Sequence, residues 1–281
     1  DNGIGMTKEE LDKNLGTIAH SGSEQFKEEN AEHQGSDMDI IGQFGVGFYS
    51  AFMVASKVRV VSRAYGADAA YAWESDGVSG YTVEEAKEGE RSGADDHGTD
   101  VIVYLRDSTE EDDKDKYLSE WGLRELVEKY SNYVRHPIQM MVTKSRQKPK
   151  PEDAGDDYKP EYEEYQELDT LNSMTPIWKK RKGEVEQKDY DEFYTSTFHD
   201  WAKPARTISF HAEGTISYDA LLFIPSEAPF DLYSKDYQKG LALYSSNVLI
   251  QEKCADLLPD YYNFVRGVVD SPDVKLNISR E

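Results

Sequence analysis

The chain of 281 residues has little of what would mark it as secreted, membrane-spanning or nucleic-acid-binding. It has one cysteine, Cys254, so an internal disulfide is excluded and a reducing, cytoplasmic setting is expected. It has no run of 18 apolar residues, the length a membrane-spanning helix needs, so no membrane partner is expected. No secretory signal opens the sequence, and Asp1-Asn2-Gly3 reads as the middle of a longer chain. Positive charge is also short: 32 basic residues face 55 acidic ones, a net charge of −23. Such a surface repels phosphate backbones, which argues against nucleic acid as a partner. There is no internal repeat and no metal-ligand cluster. Present instead are many aromatics, with 19 Tyr, 10 Phe and 4 Trp supplying large side chains for two cores.

The acidity is concentrated in loops. Pro149–Asp169 is rich in Pro and acid and lacks aliphatic periodicity, so it reads as a flexible linker. The expected organisation is a first domain over 1–144, an acidic linker over 145–170, and a second domain over 171–281. Thr7 and Glu10 have the spacing of a capping box that opens a helix carrying Leu11, Leu15 and Ile18. A helix is expected at Phe48–Val54. Strands are expected at Lys57–Arg63, Tyr71–Trp73, Tyr81–Val83 and Thr99–Leu105. Leu118–Tyr133 reads as an amphipathic helix stopped by Pro137. In the second part the pattern predicts helices at Tyr190–Trp201 and Pro259–Gly267. Strands are predicted at Thr207–His211, Ile216–Ile224 and Ala242–Ile250. Helices and strands are interspersed on both sides of the linker, which gives an α+β class.

Four segments carry candidate chemistry. In Asp1-Asn2-Gly3-Ile4-Gly5-Met6 the carboxylate can accept from an exocyclic amine, the glycines let backbone approach a flat base, and Met6 adds a soft apolar face. The same pattern also serves ordinary turns and calcium loops. Gly42, Gly45 and Gly47 precede an expected helix, so backbone N–H groups there suit a phosphate, although a structural hairpin fits as well. No Gly-Lys-Ser/Thr follows, so this is not a Walker loop, and the glycine spacing is not that of a dinucleotide fold. Thr99 opens an alternating strand, where its hydroxyl can join a base-binding network or simply pack. Arg280 is a multi-donor cation suited to a terminal phosphate, or a plain surface residue.

Taken in order, these segments resemble the ninety-kilodalton heat-shock chaperones, and among them the bacterial branch known as high-temperature protein G. Leu15–Gly22, Tyr130–Tyr133, Ala228–Asp231 and Val265–Ser271 extend the likeness, which is weakest in the linker. The resemblance implies a two-layer α/β sandwich that binds ATP or ADP, of the gyrase and histidine-kinase type, followed by part of an α/β middle domain. It implies that Asp1 takes the adenine amine with help from water and Thr99. Gly5 and Met6 would line the base, with Asn14 and Leu15 near the ribose and base. Residues 16–42 would form a lid. Gln43, Gly45, Val46, Gly47 and Phe48 would cradle the phosphates through backbone amides, and Arg280 would reach the γ-phosphate as the catalytic cation. The intact protein would be a homodimeric, ATP-driven chaperone of stress-exposed cells, acting on unfolded or partly folded clients with Mg2+. Trp178 and Phe230 match family positions and read as packing residues or as docking residues.

Three departures qualify the likeness. His20 stands where a lysine is expected near the phosphates. The catalytic glutamate and the magnesium-binding asparagine are expected upstream of Asp1. The dimerisation domain is expected beyond Arg280. The 281 residues are therefore expected to hydrolyse ATP poorly at best. Two other readings are a histidine kinase or mismatch-repair ATPase, and a non-catalytic interaction module. The first lacks a phosphoacceptor helix or a basic groove in this sequence.

Overall fold

A computed structural model describes residues 1–17, 47–93, 95–110, 112–149, 160–181 and 183–273. The chain is α+β and divides into two compact units, Asp1–Tyr117 and Leu118–Glu281. This division falls upstream of the boundary expected near Lys144.

In the first unit, α1 (Lys8–Gly16) starts where the sequence places it. The Thr7 side chain accepts from Glu10 N, and the Glu10 carboxylate accepts from Thr7 N at 2.7 Å. Four strands follow: β1 (Ala55–Arg63), β2 (Tyr71–Ser75), β3 (Tyr81–Glu85) and β4 (Gly98–Leu105). They form an antiparallel sheet in the order β3-β2-β1-β4. Period-2 alternation sends Val58, Val60 and Ser62 of β1 to one face and Arg59 to the other. Leu11 of α1 packs with Val58, Val60 and Trp73, flanked by Met6, Leu15, Phe48 and Phe52. Removing a side chain such as Leu11 from water contributes about 1.5–3 kcal/mol. The segment expected as a helix at Phe48–Val54 is a 3-10 helix, Gly47–Met53. Its aromatics set the geometry: Phe48 and Phe52 lie edge-on to Trp73 at 5.6 and 6.5 Å.

On the opposite sheet face Arg59 donates to Glu90, Glu74 and Glu84 at 2.7, 3.1 and 3.0 Å. The hydrogen bond to Glu90 is the main cause pushing the Arg59 pKa up, and the same contact holds the Glu90 carboxyl below its usual range. This contact ties the loop after β3 to the sheet, because Glu90 also accepts from Lys87 N at 2.9 Å.

In the second unit, α2 (Glu120–Tyr130) is capped by Ser119, whose hydroxyl accepts from Gly122 N at 3.0 Å. Strand β5 (Gln139–Gln147) then pairs in full antiparallel register with β6 (Tyr162–Thr170). Composition alone assigns residues 162–170 to the end of the linker. Opposed charges across the pair explain the difference: Lys144 meets Glu167 at 3.2 Å and Arg146 meets Glu163 at 2.6 Å. After a 3-10 turn at Ile177–Lys179, α3 (Gln187–Phe198) precedes β7 (Arg206–Ala212), β8 (Tyr218–Ile224), β9 (Leu241–Ser245), β10 (Val248–Cys254) and β11 (Arg266–Asp270). The sheet order is β10-β9-β11-β8-β7, with only β9 and β11 parallel.

Two sequence expectations are corrected here. The single strand expected over Ala242–Ile250 is a hairpin. Ser246 and Asn247 take left-handed φ values of 49° and 68°, as a two-residue turn requires. The helix expected at Pro259–Gly267 is a short 3-10 turn, Asp260–Tyr262, followed by β11. β-branched Val265, Val268 and Val269 favour the strand.

The core of this unit gathers Trp178, Tyr194, Leu221, Phe223 and Val268. Trp178 is therefore a packing residue, with its indole N–H donating to the fully buried Asp270 at 3.2 Å. Lys179 also meets Asp270, at 2.9 Å. Phe230, by contrast, is fully exposed.

A candidate nucleotide site at the β1–β4 edge

The segment Asp1–Met6 lies against the last residues of β1 and the first of β4. The Asp1 backbone nitrogen donates to Thr99 O at 2.7 Å, and Thr99 N donates back to Asp1 O at 3.1 Å. Asp1 is thereby held beside Thr99 as an added strand residue. Its carboxylate is aimed locally, because Oδ1 accepts from Gly3 N at 2.8 Å in a turn typical of Asp. Three further bonds hold the rest of the turn. Tyr65 N donates to Ile4 O at 2.7 Å, and Met6 N to Ser62 Oγ at 2.8 Å. The His97 Nδ1 lies 2.7 Å from Gly3 O.

Two glycines make this close approach possible. Gly5 has a φ of 67°, and a Cβ there would sit 1.8 Å from Arg63 O. Gly98 has a φ of 125°, and a Cβ there would sit 2.2 Å from Asp1 O. Both positions need the left-handed or open backbone that glycine alone adopts cheaply.

Ser62 is the site residue that motif reading misses. It is fully buried, directly opposite Thr99 in the β1–β4 register, with the two hydroxyls 2.7 Å apart. Its Oγ also lies 3.2 Å from Gly98 O. A serine hydroxyl has one hydrogen. Given to the Gly98 carbonyl, it leaves Thr99 as donor to Ser62, with Thr99 Oγ1 lone pairs open to an outside donor. A signal for it exists in the sequence. Period-2 parity puts Ser62 on the same face as Val58 and Val60, where a hydroxyl needs a partner.

The other expected site residues distribute as follows. Met6 and Leu15 pack beside the core, and the Asn14 amide lies 4.0 Å from the Met6 sulfur. Leu15 O accepts from the Tyr49 hydroxyl at 2.9 Å, and burial pushes that phenol's pKa up. Phe48 belongs to the aromatic core, while Gly47 borders open space. The structure thus brings Asp1, Gly5, Met6 and Thr99 together, with Asn14 and Leu15 next to them. His20, Gln43, Gly45, Val46 and Arg280 lie outside the described residues. Among the described residues no group of three or more His, Cys, Asp or Glu side chains is placed to hold a metal ion. None of the helices described is long and apolar enough to cross a membrane.

The second unit holds a cavity of about 700 Å³ walled by Tyr133, Phe198, Tyr244 and Arg266, with Lys129 and Glu252 among its charged groups. Those two charges pair with each other, and Arg266 donates to Phe198 O at 3.0 Å.

Residues 1–99 match the family described as "Histidine kinase-, DNA gyrase B-, and HSP90-like ATPase". Residues 152–281 match the family described as "Hsp90 protein". Over all 281 residues the chain is 51% identical to the "Chaperone protein HtpG" of Clostridium botulinum strain Hall. It is likewise 51% identical over 281 residues to the proteins of that name in Clostridium acetobutylicum and Clostridium perfringens. The chain belongs to the Hsp90 family. It spans 42% of the length of the first relative and 43% of the other two.

Proposed function

We propose that this chain carries the adenine-binding edge of an ATP-dependent molecular chaperone, together with part of the domain that follows it. The observation that carries the reading is the backbone pairing that holds Asp1 beside Thr99, whose hydroxyl lies 2.7 Å from that of the buried Ser62. An adenine base presents a donor amine next to a ring-nitrogen acceptor. A carboxylate accepts from the amine, and one water, donating to Thr99 Oγ1 with one hydrogen, donates to the ring nitrogen with the other. Gly5 and Met6 border the base, with Asn14 and Leu15 near the ribose and base. Gln43, Gly45, Val46, Gly47 and Phe48 take the phosphates, beside His20. Arg280 stabilises charge on the γ-phosphate in the transition state. The intact protein works as a cytoplasmic homodimer that couples ATP hydrolysis to the handling of unfolded clients. In the intact protein Mg2+ would neutralise charge on the phosphates.

The reading is tested by isothermal titration of the 281-residue chain with ADP, alongside Asp1→Ala. The expected result is measurable binding that weakens at least about tenfold in the variant, the loss of one charge-assisted hydrogen bond. Equal binding by both proteins removes Asp1 from the adenine contact. The same chain should show no magnesium-dependent ATP turnover above background, and sustained turnover would overturn the expectation of an impaired fragment.

A further inference from the structure

We infer that His97 is a positioning residue for the nucleotide turn: its imidazole clamps the Gly3 carbonyl and so fixes where the Asp1 carboxylate points. This deepens the adenine reading of the site and, for its effect on nucleotides, rests on it. His97 Nδ1 lies 2.7 Å from Gly3 O. A carbonyl only accepts, so the hydrogen must sit on Nδ1, which selects one of the two neutral tautomers. Gly3 is also the residue whose N–H orients the Asp1 carboxylate at 2.8 Å. The peptide groups on either side of Gly3 are thus held by His97 and by Asp1, and a shift at one moves the other.

The clamp is itself held in place. The His97 ring meets the Tyr65 ring edge-on at 5.1 Å, and Tyr65 N donates to Ile4 O at 2.7 Å, the next carbonyl of the same turn. Behind it, the Arg91 guanidinium donates to the carbonyls of Gly93, Asp95 and His97. Arg91 Nε is buried with no partner among the described residues, one donor left unmet while the other guanidinium nitrogens span the loop. The neighbouring Glu90 carboxylate anchors the loop to Arg59 of the sheet at 2.7 Å. A histidine on a loop fixed at both ends is a rigid support rather than a surface ring.

Purine selectivity is the property such a support would control. Adenine offers an amine to the Asp1 carboxylate, whereas guanine presents a carbonyl at the same place and meets repulsion. A loosened turn lets the carboxylate swing away, which weakens adenine binding and relaxes the penalty on guanine together.

The test separates the clamp from the nucleotide reading. Long-range proton–nitrogen NMR of the 15N-labelled chain at pH 8 should show His97 protonated at Nδ1; a dominant Nε2–H form overturns the proposal whether or not nucleotide binds. His97→Asn places an amide N–H near the Nδ1 position, while His97→Gln places one near Nε2. By titration with ADP and GDP, His97→Gln should lose about tenfold in ADP affinity and narrow the ADP-over-GDP preference. His97→Asn should stay within about threefold of the parent on both counts. Equal losses in the two variants, or an unchanged preference in His97→Gln, also overturn it. No ADP binding by the parent chain would sink the adenine reading, and the NMR tautomer would then decide the clamp alone.

Discussion

At the scale of single residues, the site depends on side chains that are absent as much as on those present. Gly5 and Gly66 make a controlled pair, with φ values of 67° and 76°. A Cβ at Gly5 would meet Arg63 O at 1.8 Å, whereas one at Gly66 meets nothing within 4 Å. Alanine at either position carries the cost of the left-handed backbone, about 1–2 kcal/mol. Only Gly5→Ala must also push the turn off the end of β1. Urea unfolding should therefore show Gly5→Ala less stable than Gly66→Ala by more than about 1 kcal/mol. The difference should be accompanied by loss of the Met6–Ser62 and Tyr65–Ile4 bonds in amide exchange. Equal destabilisation of the two variants would mean that the turn yields freely and that Gly5 serves only its own dihedral. Ser62 belongs to the same lesson. Composition marks serine as a surface residue, yet strand parity places it inside, facing Thr99.

At the scale of elements, turns and caps obey local chemistry that can be tested by titration. The turn joining β2 and β3 is built on Asp76, whose Oδ1 accepts from Val78 N at 2.8 Å and Ser79 N at 2.7 Å. These backbone donors, Ser79 first, bring the Asp76 pKa down to about 2 from an ordinary 3.8. A depressed carboxylate stabilises the fold fully above its unfolded value and loses that contribution as pH falls through the folded one. The window is therefore roughly pH 4 down to 2. Carbon-detected NMR should place the Asp76 midpoint near 2, and a midpoint near 3.8 would mean the turn does not hold its hydrogen bonds in solution. Elements with such local signatures were legible in the sequence: the Thr7–Glu10 cap, the four strands of the first sheet, and α2 and α3 within a few residues. Those that depend on partners were not. The strand Tyr162–Thr170 is too acidic to declare itself, and it is revealed by its pairing with Gln139–Gln147, which sets Lys144, Arg146 and Lys148 against its carboxylates. The 3-10 helix at Gly47–Met53 takes its form from Trp73, which no window around Phe48 contains. The candidate site divided in the same way. Asp1, Gly5, Met6 and Thr99 could be named from motif and resemblance, whereas Ser62 and the roles of His97 and Arg91 required the β1–β4 register.

At the scale of the molecule, surplus negative charge is what local contacts leave unbalanced. With 55 acidic and 32 basic residues, pairing every cation would still leave a net charge of −23 uncompensated at neutral pH. Salt acts on such a chain in two opposed ways. It screens the ion pairs that stabilise particular elements, and it screens the mutual repulsion of the excess carboxylates. The pairs are mostly exposed, as with Lys144–Glu167 and Lys188–Glu192, and exposed pairs contribute about 0–1 kcal/mol each. Sheltered exceptions include Arg59, with its side chain only 12% exposed and three carboxylates around it, and Lys179 on the fully buried Asp270, so these contacts are among the least altered by salt. Repulsion among the surplus acids reaches further, because it sums over every pair within a Debye length. That length falls from about 30 Å at 0.01 M to about 10 Å at 0.1 M. Repulsion should therefore decide the sign, and thermal unfolding should move to higher temperature as sodium chloride rises from about 0.01 to about 0.1 M. Arg59→Met, which removes the cation at the centre of three carboxylates, should lower Tm at both salt concentrations while preserving the upward shift. A Tm that falls with added salt in the parent chain would show that specific pairs, rather than net charge, govern its electrostatic stability.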